Sequence, residues 1–297
     1  MPNGRSLASR LSDRSRGVPP TALVFFSIIS AQLGAAVAKS LFDSLGPGGT
    51  VFLRIAFAAL VLFLLVRPKL DVYDRAGSLV AGLFGLALAG MNLSLYLAFD
   101  RIPLGVAVTL EFVGPLGVAV AGSRRVLDLL WVVLAAAGIL LLAPLGVLGG
   151  MDLDPVGVAF ALLAGCLWAS YILLSARTGS VFPGGTGLVI ALCVGTLVLF
   201  PFGIAGAGYA LLDPKLLLAG FGVAMLSSAI PFSLDLEALR KLPARVFGVL
   251  MSLEPAVAAL AGLVVLGERL GMRAVAAILF VTIAAAGASL FGGRDKG

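Results

Sequence analysis

Long apolar stretches dominate the chain, and polar positions are confined to short breaks between them. Ten such stretches run at about 20–41, 48–66, 77–99, 103–121, 126–145, 155–176, 185–206, 215–237, 244–266 and 271–291, each bounded by Pro, Gly or a charged residue. A helix needs about 20 mostly apolar residues to cross the hydrocarbon core of a bilayer. The pattern predicts an all-α membrane protein of ten transmembrane helices, with connections too short to hold an extramembrane domain. The first stretch follows Arg5, Arg10, Arg14 and Arg16 and contains Ala36-Val37-Ala38, features of a cleaved signal peptide. Its apolar run is long for a signal core and it has a repeat partner later, so it is expected to stay as the first span.

Composition supports this reading and removes several kinds of chemistry. Hydrophobic residues make up 60% and charged residues 12% of the chain, against roughly 45–50% and about 25% in soluble domains. Mean hydropathy is +1.12. There is no histidine, which excludes Ser-His-Asp and Cys-His catalysis and His-ligated metals. Cys166 and Cys193 lie inside apolar segments without paired spacing, so neither a disulfide framework nor a zinc site is expected. The phosphate-binding pattern G-x-x-x-x-G-K-[ST] is absent, so ATP hydrolysis does not drive the molecule. The chain is expected to be no enzyme and to carry no metal or cofactor.

The net charge of +6 reads as basic cytoplasmic loops rather than as a nucleic-acid surface. With the N-terminus inside, most of the 21 Lys and Arg residues fall on the cytoplasmic side, including Arg67, Lys69, Arg75, Arg124, Arg125, Arg177, Arg240, Lys241, Arg245, Arg294 and Lys296. The loop around Asp152 and Asp154 carries acid and no base. Both termini are therefore expected in the cytoplasm.

The sequence also repeats itself. Pro47-Gly48-Gly49-Thr50 recurs as Pro183-Gly184-Gly185-Thr186, each opening an apolar span that ends near Leu-Phe. At one constant offset Arg101-Ile102-Pro103 matches Lys241-Leu242-Pro243 and Pro115 matches Pro255, and further on Ala135-Ala136-Ala137-Gly138 is echoed by Ala284-Ala285-Ala286-Gly287. Four matches in order predict two five-helix repeats, 19–146 and 147–292, between short cytoplasmic tails at 1–18 and 293–297. An odd number of spans inverts the second repeat. Inverted repeats are a transporter signature, because pseudo-symmetry supplies two states of similar energy open to opposite sides.

Several motifs carry a family resemblance. They are Ala38-Lys39-Ser40-Leu41-Phe42, the run from Leu104 through Thr109-Leu110-Glu111 to Pro115-Leu116 followed by Ser123-Arg124-Arg125, and Leu250-Met251-Ser252-Leu253-Glu254-Pro255-Ala256 with Leu266-Gly267-Glu268. Together with the ten-span layout, the Trp168 region and the duplicated Pro-Gly-Gly-Thr entries, they resemble the EamA family of the drug/metabolite transporter superfamily. Within it they are similar to bacterial inner-membrane exporters of threonine/homoserine type. The resemblance covers about residues 20 to 290. It implies export of amino acids, with a spectrum that extends to aromatic or other neutral ones, and protons as the coupling ion. The partners it implies are a small amino acid and membrane lipid, with no nucleic acid and no obligatory protein partner. A drug or other small-metabolite exporter of the same superfamily, and a passive channel, are the alternatives.

Candidate site residues follow from cost and spacing. Glu111 and Glu254 lie near mid-span, where a carboxylate costs ~2.5–3.5 kcal/mol on insertion scales and therefore usually faces a cavity. Pro115 and Pro255 are hinge candidates. Each removes a helical hydrogen bond, freeing the carbonyls of Glu111 and Met251, and a freed carbonyl lining a cavity can accept a substrate ammonium. Lys39 and Arg54 lie towards the outer ends of spans one and two, and Lys39 shares a face with Gln32 across small Ala35 and Ala36. Either cation could meet a substrate carboxylate, and Lys39 could pair with Glu111. Snorkelling to the headgroups is the alternative for both. Polar and aromatic faces add Asn92 with Tyr96, Trp168 with Tyr171 and Ser175, and Ser228 with Phe232 and Asp235, at helical spacing. Asp235 and Glu237 are expected to pair with Arg240 or Lys241. Gly82, Gly85, Gly90, Gly114, Gly117 and Gly122 are expected to let helices approach closely.

Overall fold

The computed structural model describes residues 19–68, 75–121, 126–142, 153–182, 185–239, 241–242 and 244–291. The two tails, Lys69, Arg124, Arg125, Asp152, Pro183, Gly184 and Gly122 lie outside the described residues. Every regular element among the described residues is helical. The first half of the chain holds α1 (Pro20–Ser40), α2 (Phe42–Val66), α3 (Arg75–Phe99), α4 (Leu104–Glu111), α5 (Val113–Ala121) and α6 (Val126–Leu142). The second holds α7 (Pro155–Val181), α8 (Thr186–Ala207), α9 (Pro214–Ala224), α10 (Ile230–Leu239), α11 (Ala244–Met251), α12 (Glu254–Leu266) and α13 (Met272–Phe291). A π-helical segment, Met225–Ala229, joins α9 to α10.

Counted across short interruptions, seven described helical stretches, among them Pro214–Phe232 and Val246–Leu266, are long and apolar enough to cross a membrane, and three shorter apolar ones cover Leu104–Val118, Leu130–Leu141 and Met272–Gly287. The distribution of polarity is that of a membrane protein. Large apolar side chains face outward, such as Leu197 at 75% and Val264 at 78% exposure, while Ser27, Gln32, Thr50, Asn92, Thr109 and Glu111 are buried inside. An outward apolar belt on this scale would aggregate in water and is satisfied by lipid.

Local chemistry sets the helix ends. Asp154 caps α7, accepting from Val156 N at 2.8 Å, and Pro155 takes the first turn, where its missing N–H leaves no helical bond unmade. Asp213 and Pro214 start α9 the same way. Arg101 also donates to Asp154 at 2.8 Å, and this bond holds the exposed Asp154 carboxyl below its ordinary pKa. In α2 the chain kinks at Gly46, whose φ of 63° needs glycine, and the helix restarts at Pro47. This is the Pro-Gly-Gly-Thr entry read from the sequence.

Helices from the two halves interleave. α3 packs on α7 and α8, α2 on α8, α1 on α10 and α12, α4 on α12 and α7, and α6 on α13. Glycines sit at the close crossings. A Cβ at Gly85 would lie 2.7 Å from the Ala191 carbonyl, and one at Gly105 would lie 2.6 Å from Ala259 Cα. Gly82 and Gly117, expected to pack as closely, have open space beside them instead.

Three spans that the sequence presents as continuous are interrupted. The fourth breaks at Phe112, between α4 and α5, and the ninth at Ser252–Leu253, between α11 and α12. Each break lies just before the proline expected to disturb it, because the pyrrolidine ring crowds the turn N-terminal to it. The eighth widens into the π-helical segment. Its cause is Pro231, which cannot donate to the Ser227 carbonyl four residues back.

Candidate functional site

The breaks converge on one cavity. Ser27, Ala31, Gln32 and Ala35 of α1 line it, with Arg54 and Ile55 of α2, a stripe of α3 from Leu88 through Asn92 to Phe99, and Val108 and Glu111 of α4. The second half supplies Trp168 and Tyr171 of α7, Leu192 of α8, Ser227 and Ser228 of the π segment, Pro231, Phe232 and Asp235 of α10, Met251, and Glu254. Its volume is about 190 Å³, below the roughly 300–1,000 Å³ of sites for drug-sized ligands.

Arg54 is held on three sides. Its Nε donates to Ser228 Oγ at 3.1 Å, Nη1 to the Tyr96 hydroxyl at 3.3 Å, and Nη2 to the Ser227 carbonyl at 3.2 Å. The Ser227 carbonyl is the one that Pro231 leaves without a helical donor, so the same irregularity that widens the helix also anchors the guanidinium. The preceding carbonyl, Leu226 O, accepts from Ser30 Oγ at 2.7 Å. Tyr96 supports Arg54 from behind, with the guanidinium carbon 5.5 Å from its ring centroid. Arg54 therefore faces the cavity and does not snorkel.

Carboxyls populate the rest of the wall. Glu111 is 5% exposed and interacts electrostatically with Glu254 and Arg54. Glu254 opens α12 and stands next to the Gln32 side chain and Asp235. Among the described residues the cavity thus carries one fixed cation and three carboxyl groups contributed by different helices.

Of the residues proposed from sequence, the structure brings Gln32, Arg54, Asn92, Glu111, Trp168, Tyr171, Ser228 and Glu254 to this cavity. Asn92 donates to Leu88 O at 2.8 Å, Trp168 stands edge-on to Phe112 with centroids 5.3 Å apart, and Tyr171 leans on Phe84 at 4.9 Å. Tyr96 is a correction. It is fully buried between Phe42 and Phe99 and contributes only by holding Arg54.

Lys39 is a second correction. It lies outside the cavity, beyond Ala35, and pairs with Glu268 at 2.7 Å rather than with Glu111 or the headgroups. It also donates to Ile102 O at 3.0 Å, while the other Glu268 oxygen accepts from Leu104 N at 2.8 Å.

The freed carbonyl of Glu111 is a third. It packs against Gly165, where a Cβ would lie 2.7 Å away, so close helix packing occupies it rather than a ligand. Pro115 and Pro255 do sit beside the helix breaks, and Pro255 is buried in the first turn of α12. Glu237 pairs with Lys241 at 2.9 Å, as expected.

Asp235, which the sequence offered both for a polar cavity face and for an ion pair with Arg240 or Lys241, lines the cavity. The signal was its i, i+4, i+7 stripe with Ser228 and Phe232. Among the described residues no cluster of Cys, Asp and Glu is arranged to hold a metal.

Known proteins share this architecture. The EamA-like transporter family model matches residues 155–290, which is α7 to the end of α13 less its last residue. The chain is 40% identical over 271 residues to the threonine/homoserine exporter RhtA of Salmonella typhimurium, 91% of each chain being covered. It matches the protein of the same name from Escherichia coli equally, at 40% identity over 91% of both. A solved crystal structure, 19% identical, aligns with a TM-score of 0.58 over 94% of this chain and 98% of that one, a likeness of fold alone. With a membrane-embedded helical fold, a charged central cavity and that level of identity along nearly its whole length, the chain belongs to the EamA-like transporter family.

Proposed function

We propose that the protein exports amino acids of threonine/homoserine type across the bacterial inner membrane, by alternating access to this one cavity and in exchange for protons. The observation that carries the reading is the division of charge within the cavity, a fixed guanidinium on one wall and carboxyls on the others. A zwitterion needs that division. Arg54 keeps two of its five N–H groups free of the three bonds described, enough for a substrate carboxylate. Glu111 and Glu254 serve the coupling proton and give the cavity the negative charge that an ammonium requires nearby. A small cavity suits a small amino acid and tells against drug-sized cargo. The names of the relatives point the same way.

The alternating mechanism rests on two inverted five-helix repeats, 19–146 and 147–292, with both termini in the cytoplasm. Helix pairing supports this arrangement. Exchanging each span with its counterpart five later turns the α1–α10 contact into α7–α3, and returns α2–α8 and α6–α13 to themselves. The broken helices are also counterparts, since the break at Phe112 matches the one at Ser252 under the spacing that relates Pro115 to Pro255. Discontinuous helices flanking a central site are how transporters place backbone and carboxyl groups near the midplane. Pro115 and Pro255 are the hinges in this reading.

Expression in a bacterium sensitive to threonine or homoserine tests the function. Export lowers the internal pool, so tolerance should rise and efflux of the preloaded amino acid should quicken. Unchanged tolerance and efflux for every amino acid tried, with the protein present in the membrane, would defeat the proposal.

A further inference from the structure

On the wall of the cavity that α1 and α10 contribute, two side-chain oxygens lack donors among the described residues. Gln32 is 6% exposed, and its Oε1 has no hydrogen-bond partner among the described residues. The same holds for Asp235 Oδ1. Both side chains line the cavity. The Glu254 carboxyl stands next to the Gln32 side chain, and Gln32 Oε1 remains without a donor among the described residues. Ser27 is the nearby donor. Its hydroxyl lies 3.3 Å from the Pro231 carbonyl and also meets the Asp235 carboxyl. One hydroxyl proton cannot serve both acceptors.

A buried oxygen without a donor costs about 1–3 kcal/mol, so such groups persist where a ligand or water completes them. Two of them beside a further carboxylate describe a place for a group that is positively charged and carries several hydrogens on one centre. An ammonium has three N–H donors and no acceptor. A hydroxyl brings one donor and two lone pairs, a poorer match to oxygens that already lack hydrogens. Resting on the reading of the cavity as an amino-acid site, we propose that Gln32 and Asp235 form the subsite for the substrate's ammonium group. The substrate then lies across the cavity with its carboxylate at Arg54 and its nitrogen between α1 and α10. These two helices come from opposite halves of the chain, so the bound nitrogen ties the halves together on this wall.

Binding by the full-length protein in detergent tests the subsite. L-threonine is compared with the analogue in which a hydroxyl replaces the ammonium, 2,3-dihydroxybutanoate. Asp235→Asn is nearly isosteric and Gln32→Met keeps the length of the side chain. Each substitution should weaken threonine binding by about tenfold or more, while the affinity of the dihydroxy acid stays within about twofold of its wild-type value. Equal losses for both ligands, in variants whose melting temperature matches the wild type, would show a general effect on the cavity and overturn the subsite. Unchanged threonine affinity in both variants would overturn it as well. If the wild-type protein bound no amino acid, the export reading itself would fail and the subsite with it. That result is distinct from either variant outcome.

Discussion

Glu111 shows how much of a residue's role depends on its neighbours. At 5% exposure it shares a cavity with Glu254 and Arg54, so its protonation is tied to what those groups and the substrate are doing. Glu111→Gln preserves size and hydrogen bonding while removing the proton that can be exchanged. If Glu111 is the coupling acid, the variant should still exchange substrate down its own gradient, and its rate should no longer respond to an imposed pH gradient in vesicles. A wild-type pH response would move the coupling role to Glu254. The sequence exposed both glutamates because a carboxylate in mid-span is costly wherever it sits. It did not expose the partner of Lys39, because Glu268 comes from the far end of the chain and only the fold brings them together. Asp235 was legible as part of a polar stripe, although the basic residues that follow it closely in sequence also suggested an ion pair.

Elements were more legible than contacts. Each of the ten apolar stretches corresponds to helix, and Pro47, Pro155 and Pro214 each fall in a first helical turn, where proline's missing N–H leaves no helical bond unmade. Pro231 was the overlooked signal, since it lies inside a span and both widens the helix and frees the carbonyl that anchors Arg54. The end of α12 is another local device with a distant effect. Gly267 takes the left-handed conformation at φ 68°, and Glu268 N closes back onto Gly262 O at 3.1 Å. That turn fixes the Glu268 carboxylate over the start of α4, where Pro103 provides no side-chain cap, and beside Lys39. The cluster joins α1, α4 and α12 at the end of the cavity beyond Ala35 and Val108. Glu268→Gln keeps one acceptor oxygen but removes the charge facing Lys39. It should lower stability by about 1–3 kcal/mol, as for lost hydrogen bonds between charged groups, read as a fall in melting temperature of the purified protein. An unchanged melting temperature would mean the cluster adds nothing to the packing of these three helices.

Among the described residues, large apolar side chains cover the outside, and the polar groups that are buried gather about the cavity lined by helices of both halves. The sequence predicted the halves from a handful of recurring turns. It could not predict that α4 packs on α7 and α12, or that the interruptions at Phe112 and Ser252–Leu253 lie beside the same cavity, because those facts depend on long-range packing. A small cavity lined by helices of both halves suits a carrier, which exposes its site to one side at a time, and is a poor design for a continuous pore. Counterflow in proteoliposomes measures that difference most directly. Vesicles loaded with a high concentration of unlabelled threonine and diluted into a trace of labelled threonine should transiently accumulate label above its outside concentration, because each outward step returns the site to capture label. Label that only rises to equal the outside concentration, or fails to enter from protein-containing vesicles, would contradict a threonine-carrying alternating site.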